Sequence, residues 1–332
     1  MATILVTGGA GYVGSVCCGE LLKLGHAVVV IDDLSTGFRE AIPAGATFYK
    51  LDIGDRAGLA AVLARRKIDV VFHFAAKALI AESVTNPGWF FDCNVSSGIA
   101  MLETLRAAGV KRFVFSSSAA VYGQSGPVPI TEDHPTEPLN SYGETKLMFE
   151  RILRWYAHSY GWGVVAFRYF NASGATAELG ERHCPETHII PLLLQAASGE
   201  RESFTIYGND YPTFDGTCIR DYVHVADIAQ AHIRALEKTK TSTFEAYNIG
   251  SGTGFSVSEV VAAAKRVTGC TFPVNIGPPR AGDPAVLVAG CEKLVDELGW
   301  KPENTRLDDI IRSGWLWTRR HQTTRTDVQA VH

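Results

Sequence analysis

A chain of 332 residues can bury one large core or two closely associated ones, which excludes a small scaffold that depends on disulfide or metal staples. With 46% hydrophobic residues, 20% charged residues and a formal net charge of −4, it has neither the basic balance of a nucleic-acid binder nor a cationic membrane-surface patch. Seven scattered cysteines (Cys17, Cys18, Cys93, Cys184, Cys218, Cys270, Cys291) lack C-x-x-C spacing, which argues against a disulfide framework and a zinc ribbon and for a reducing compartment, the cytoplasm.

The chain opens on TILVTG, a short apolar strand whose run stops at glycines too soon for a signal peptide or a membrane span. It continues into TGGAGYVGS, where Gly8, Gly11 and Gly14 are spaced G-x-x-G-x-x-G ahead of the helical pattern VGSVCCGELLKLG, which closes at Gly25. Glycines at this spacing permit a tight turn, let the backbone approach a pyrophosphate, and seat the following helix so that its N-terminus attracts the anion. The second strand, AVVVID, ends at Asp32, eighteen residues past Gly14. A carboxylate there can accept hydrogen bonds from a ribose diol and repels a 2′-phosphate, so the pattern predicts NAD rather than NADP. LDIGD follows the third strand, with Asp52 and Ile53 placed to hold the adenine edge.

VVFHFA, RFVFSSS and WGVVAFRYF read as further buried strands, with helices such as GLAAVLARR between them. This rhythm predicts an α/β fold, a Rossmann-type doubly wound parallel sheet over residues 1–170. After Phe170 the pattern loosens into Gly- and Pro-rich segments punctuated by VADIAQAHIRALEK and SVSEVVAAAKRVTG, which predicts a smaller α/β substrate-binding lobe over 171–332, some segments returning to the first domain. The closing TRRHQTTRTDVQAVH reads as a solvated, fraying end.

NSYGETK places Tyr142 four residues before Lys146, on one face of a predicted helix. Ionising a tyrosine near neutral pH costs roughly 4 kcal/mol, and an ammonium held about 4 Å away at an effective dielectric near 20 supplies about that much. Ser118, at the end of the RFVFSSS strand, has a hydroxyl able to bond the same reacting oxygen. Following a dinucleotide fingerprint, this set resembles the short-chain dehydrogenase/reductase superfamily, whose catalytic trio is Ser or Thr, Tyr and Lys. The long run GNDYPTFDGTCIRDYVHVADIAQAH narrows the resemblance to the extended branch acting on nucleotide sugars, and within it the chain is most similar to the UDP-glucose 4-epimerase family, from VTGGAGYVGS to AGDPAVLVA.

The resemblance implies that Tyr142 takes the proton of the sugar 4-hydroxyl while C4 loses hydride to NAD, that the 4-keto sugar turns over and regains hydride on its other face, and that UDP-galactose and UDP-glucose interconvert. It further implies cofactor contacts from Tyr12, Val13, Asp33, Leu34, Phe74, Ala75, Lys77, Asn94, Tyr169 and Phe170, beside Tyr142 and Lys146. Substrate contacts are implied for Asn171, Tyr207, Arg220, Arg280 and Asp283, beside Ser118 and Tyr142, and so is a homodimer. Related nucleotide-sugar 4,6-dehydratases and UDP-glucuronate decarboxylases commonly carry acidic residues after the Ser; Ala119 and Ala120 cannot transfer protons, which counts against both.

Two alternatives stay open at this level: a 4-epimerase of UDP-arabinose/UDP-xylose or of a UDP-N-acetylhexosamine, and a non-catalytic NAD-binding sensor. Leu287 occupies the position said to set room for an N-acetyl group, and Thr187 and His188 replace an asparagine pair. His183, Cys184 and His188 lack paired ligand spacing, and hydride transfer needs no metal, so the reading assigns none.

Overall fold

The structure, a computed structural model, describes residues 1–123, 126–280 and 283–329, with 322–329 as backbone alone. Ala281 and Gly282 of the AGDPAVLVA run, and the last three residues, lie outside the described residues. In chain order the strands are β1 (Thr3–Thr7), β2 (Ala27–Asp32), β3 (Thr47–Lys50), β4 (Val70–His73), β5 (Arg112–Ser118), β6 (Gly163–Tyr169), β7 (Asn171–Ser173), β8 (Phe204–Tyr207), β9 (Ile219–His224), β10 (Phe244–Ile249), β11 (Gly254–Ser256), β12 (Val274–Gly277) and β13 (Val286–Leu287).

Seven strands form one sheet in the order β10-β6-β5-β4-β1-β2-β3, parallel throughout. Its strands are continuous apolar runs because helices cover both faces; every residue of β4 and β6 is buried. Alternation sorts the side chains. Ile4, Val6, Val28 and Val30 pack with Ile228, Ala231 and Ala235 on one face, whereas Leu5, Val29 and Ile31 join Leu59, Leu102, Leu105, Phe149 and Leu153 on the other. The first face is covered by helices Tyr12–Lys23 and Val225–Lys238, the second by Arg56–Arg65, Ser97–Ala107 and Ser141–Tyr160.

Strand order reverses between β1 and β4: the chain runs outward through β2 and β3, then returns to lay β4 on the other side of β1. Loops leaving the carboxyl ends of these strands part there and leave a crevice. The seventh strand is drawn from far along the chain, β10 pairing with β6 from Phe244↔Val164 to Ile249↔Tyr169.

The remaining residues of the second half build a smaller assembly. β7 pairs in parallel with β9, which also holds β11 and β13, while β8 pairs with β12. Helices Ile189–Ala197, Val257–Thr268 and Leu307–Gln329 enclose its core, centred on Ile190, Leu193, Phe204, Tyr222, Val260, Ile310 and Ile311. Over the segment expected to fray, from Thr318 onward, the backbone is helical to Gln329. At its start Thr318 bonds the Gly314 carbonyl and the Arg320 guanidinium donates to the Ala177 carbonyl at 2.8 Å.

Candidate active site

The glycine turn lies at the mouth of the crevice. Gly8 has a φ of 74°, and a Cβ there would sit 2.4 Å from the Ala75 amide nitrogen; a Cβ on Gly14 would sit 2.3 Å from the Gly8 carbonyl oxygen. Only bare backbone fits this close-packed turn, and the helix that starts from it at Tyr12 has first-turn amides with no intrahelical acceptor. The Asp32 carboxylate accepts from the Ala10 amide at 3.0 Å and from the Leu34 amide at 2.8 Å, which fixes it beside the turn with lone pairs left for a diol. Burial raises the pKa of Asp32, and those two backbone bonds oppose the rise. Leu34 is held in a left-handed φ of 61° by the same bond. These features fit the dinucleotide that the sequence predicts.

The other expected cofactor residues divide into two groups. Phe74 and Ala75 donate their amides to the Thr7 carbonyl, at 2.9 and 3.1 Å, and so wall the crevice between β1 and β4. Asn94 clasps the Lys77 backbone through both its amide groups and also reaches Thr145, while the Lys77 ammonium bonds the Ser35 hydroxyl at 2.6 Å. Several of the expected side chains also make scaffold contacts. The Tyr12 hydroxyl donates to the Gly174 carbonyl, Val13 packs between two cores, Ile53 is buried beneath the sheet, and Asp52 and Asp33 accept from Gly54 and Ser35 amides. Tyr169 bonds His232 at 2.7 Å, and Phe170 lies in a small cluster with Val121, Tyr122 and Leu147.

Ser118, Tyr142 and Lys146 meet at the end of β5. Asn140 caps helix Ser141–Tyr160 by accepting from the Gly143 amide at 2.8 Å. A Cβ on Gly143 would lie 2.5 Å from the Ala120 carbonyl oxygen, so this glycine lets the helix start press against the turn that follows Ser118. Ser118 accepts from the Ala120 amide, and its hydroxyl stands by the Tyr142 phenol and acts to lower that group's pKa.

The expected electrostatics differ. Burial raises the Tyr142 pKa and the bond to Ser118 lowers it, whereas the Lys146 ammonium donates to the Ser116 carbonyl at 2.8 Å and stands 5.7 Å from the Tyr142 ring centre. Lys146 is the more perturbed partner. Burial pulls it down to about 7, with the Glu150 carboxylate acting the other way. Its hydrogen-bond acceptor is thus the Ser116 carbonyl on β5.

One helical turn further, Glu150 continues the same stripe into a buried polar network that the sequence reading missed. It accepts from Ser117 at 2.5 Å and takes two bonds from Arg168, at 3.0 and 2.7 Å; Arg168 also reaches the Tyr122 hydroxyl, which donates to Asn248. The i, i+4, i+8 spacing of Tyr142, Lys146 and Glu150 is its signal in the sequence.

On the second-lobe side, β7 begins two residues after Tyr169, which pairs with Ser118. Asn171 there donates to the Asp221 carbonyl at 2.9 Å, Arg220 on β9 pairs with Asp283, and Leu287 lies opposite Arg220. Tyr207 is exposed, with the Arg280 guanidinium 4.4 Å from its ring centre. The organiser of this region, also missed, is Asp221. Its fully buried carboxylate accepts from the amides of Ser251, Gly252 and Ala289 and from the Ser251 hydroxyl.

Thr187 is exposed, and the structure turns His188 toward Glu181 and Glu186. Burial works against charge on His188, but those carboxylates more than reverse it and hold it at about 10.

The profile of the NAD dependent epimerase/dehydratase family matches residues 4–250. The UDP-glucose 4-epimerase of Corynebacterium glutamicum is 47% identical over 95% of both chains. That of Lacticaseibacillus casei is 48% identical over 96% of this chain and 97% of its own. Among solved structures, the UDP-glucose 4-epimerase of Brucella ovis in complex with NAD superposes with a TM-score of 0.92 at 42% identity, covering 95% of this chain and 98% of that one.

Proposed function

The chain belongs to the NAD dependent epimerase/dehydratase family, and from that premise we propose that it interconverts UDP-galactose and UDP-glucose by reversible oxidation at C4. One observation carries the reading: Ser118, at the end of β5, and Tyr142, on the helix whose start presses against the turn after Ser118, come together at the dinucleotide crevice, and Ala119 and Ala120 offer no second proton carrier. NAD, when bound, supplies the acceptor that takes hydride from C4 and returns it. The backbone of Gly8, Gly11 and Gly14, with Asp32 and Lys77, would hold it.

Tyr142 removes the proton of the 4-hydroxyl and gives it back, and Ser118 holds the reacting oxygen. Lys146 favours the ionised phenol by its positive charge once the site is filled. Asn171, Arg220 and Asp283 bind the UDP moiety, with Tyr207 and Arg280 at its outer end; arginine forks suit a diphosphate through paired hydrogen bonds. In this scheme residues 1–170 hold the cofactor and 171–332 mainly the UDP-sugar, with β10 and helix Val225–Lys238 serving the first domain.

The test is to incubate protein, without added NAD, with UDP-galactose and separately with UDP-xylose, UDP-N-acetylgalactosamine and UDP-glucuronate, and to resolve the products by proton NMR. UDP-glucose formed from UDP-galactose, faster than any other conversion, is the expected result. No turnover of any sugar even with NAD supplied would overturn the reading.

Among the described residues no helix is long and apolar enough to cross a membrane, and we place the protein in the cytoplasm. A homodimer is part of the proposal. Val84, Trp89 and Ile99 and, on helix Ser141–Tyr160, Trp155 and Tyr160 are exposed apolar groups on neighbouring helices, a surface suited to a second copy. Light scattering is expected to give twice the 36.0 kDa chain mass, and Trp155→Glu to halve it; a monomer in the parent protein would remove the proposal.

A further inference from the structure

We propose that Glu181, His183, Glu186 and His188 form a site for one divalent transition-metal cation, zinc by preference, which fastens the loop entering helix Ile189–Ala197. One ligand atom from each lies within 4.8 Å of all the others. Nδ1 of His183 is 2.8 Å from Oε1 of Glu181, and Nδ1 of His188 is 2.8 Å from Oε1 of both Glu181 and Glu186.

An imidazole Nδ1 carries at most one proton, so His188 cannot give a full hydrogen bond to each carboxylate. Glu186 Oε1 also accepts from the Thr187 and His188 amides, at 2.7 and 2.8 Å. The two glutamate side chains are only 7% and 5% exposed, so two buried carboxylates converge on the same pair of imidazoles. A dication balances both charges and takes both imidazoles in their neutral form. Four ligands about 2.1 Å from a zinc ion stand about 3.4 Å apart, within reach of this arrangement by small side-chain rotations. Two imidazole nitrogens with two carboxylates suit zinc and its transition-metal neighbours and disfavour magnesium and calcium.

In the pattern E-x-H-x-x-E-x-H each Glu stands two residues before its His, the two pairs lying on either side of a bend at Cys184–Pro185 that brings them together. Cys184 lies within the run, but it is exposed and outside the cluster. A four-ligand shell with no open position makes this a structural site, separate from the hydride chemistry. What it would fasten is already anchored at its edges. Gly174 receives the Tyr12 hydroxyl, and the Arg182 guanidinium lies 5.6 Å from the Phe38 ring and 5.7 Å from the Trp317 ring.

The test uses full-length, NAD-containing protein made without a histidine tag, stripped with chelator, re-equilibrated with zinc and desalted. One zinc per chain by mass spectrometry, a raised unfolding temperature, and an X-ray absorption shell of nitrogen and oxygen only are expected. The double variant Glu181→Gln/His183→Gln should weaken zinc binding by no less than the roughly 10–100-fold that losing an outer-shell partner costs. Substoichiometric zinc in the parent protein, sulfur in its shell, or undiminished affinity in the double variant would overturn the site. If the variant does not fold, the stoichiometry and absorption spectrum of the parent decide.

Discussion

Replacing Tyr142 by phenylalanine is expected to lower turnover of UDP-galactose by about 10²–10⁴-fold, the range that a positioned acid–base group contributes, while NAD stays bound. The two effects separate because the phenol lies beside Ser118 at the end of β5, whereas the glycine turn and Asp32 fit the dinucleotide from β1 and β2. Steady-state rates, with the NAD content measured after denaturing the protein, check both halves. A variant keeping more than about a tenth of the activity would remove Tyr142 from the proton-transfer role. Loss of NAD along with activity would show that the helix start, not the phenol, had been damaged.

The largest effect on stability is expected from Arg168→Met. The Arg168 and Glu150 side chains are 5% and 2% exposed, and breaking a buried pair on one side strands the other charge, typically at a cost of about 3–5 kcal/mol. Glu150→Leu added to Arg168→Met removes that stranded charge and should recover much of the loss. Urea unfolding of the parent, single and double variants measures this. A single variant within about 1 kcal/mol of the parent would mean that Ser117 and water compensate the carboxylate and that the pair does not hold this region.

The sheet and the cofactor turn were legible because their signals are local. Five of the parallel strands read as short apolar runs, and the glycines with Asp32 occur at a spacing that the crevice requires. Tyr142 and Lys146 were legible as a pair since helical geometry puts them on one face. Where the Lys146 ammonium goes was not, because its acceptor is the Ser116 carbonyl, thirty residues earlier on β5. Distance in sequence also hid the place of β10 beside β6 and the four bonds gathered by Asp221. His183, Cys184 and His188 show no paired ligand spacing in the sequence, and the fold pairs each histidine with the glutamate two residues before it. Polarity alone likewise does not reveal an anchor such as the Arg320 guanidinium on the Ala177 carbonyl.

The late arrival of β10 has a consequence for how the chain is made. When Phe170 leaves the ribosome, β6 is still an outer strand with an open row of amides and carbonyls, and helix Val225–Lys238, which will cover Val6, Val30 and Val165, has not been synthesised. An uncovered apolar face next to an unpaired strand is the condition under which nascent chains stick to one another. Almost eighty further residues must emerge before Ile249 closes the edge, so the two halves finish folding together, and cutting the gene between them divides one cooperative unit rather than separating two modules.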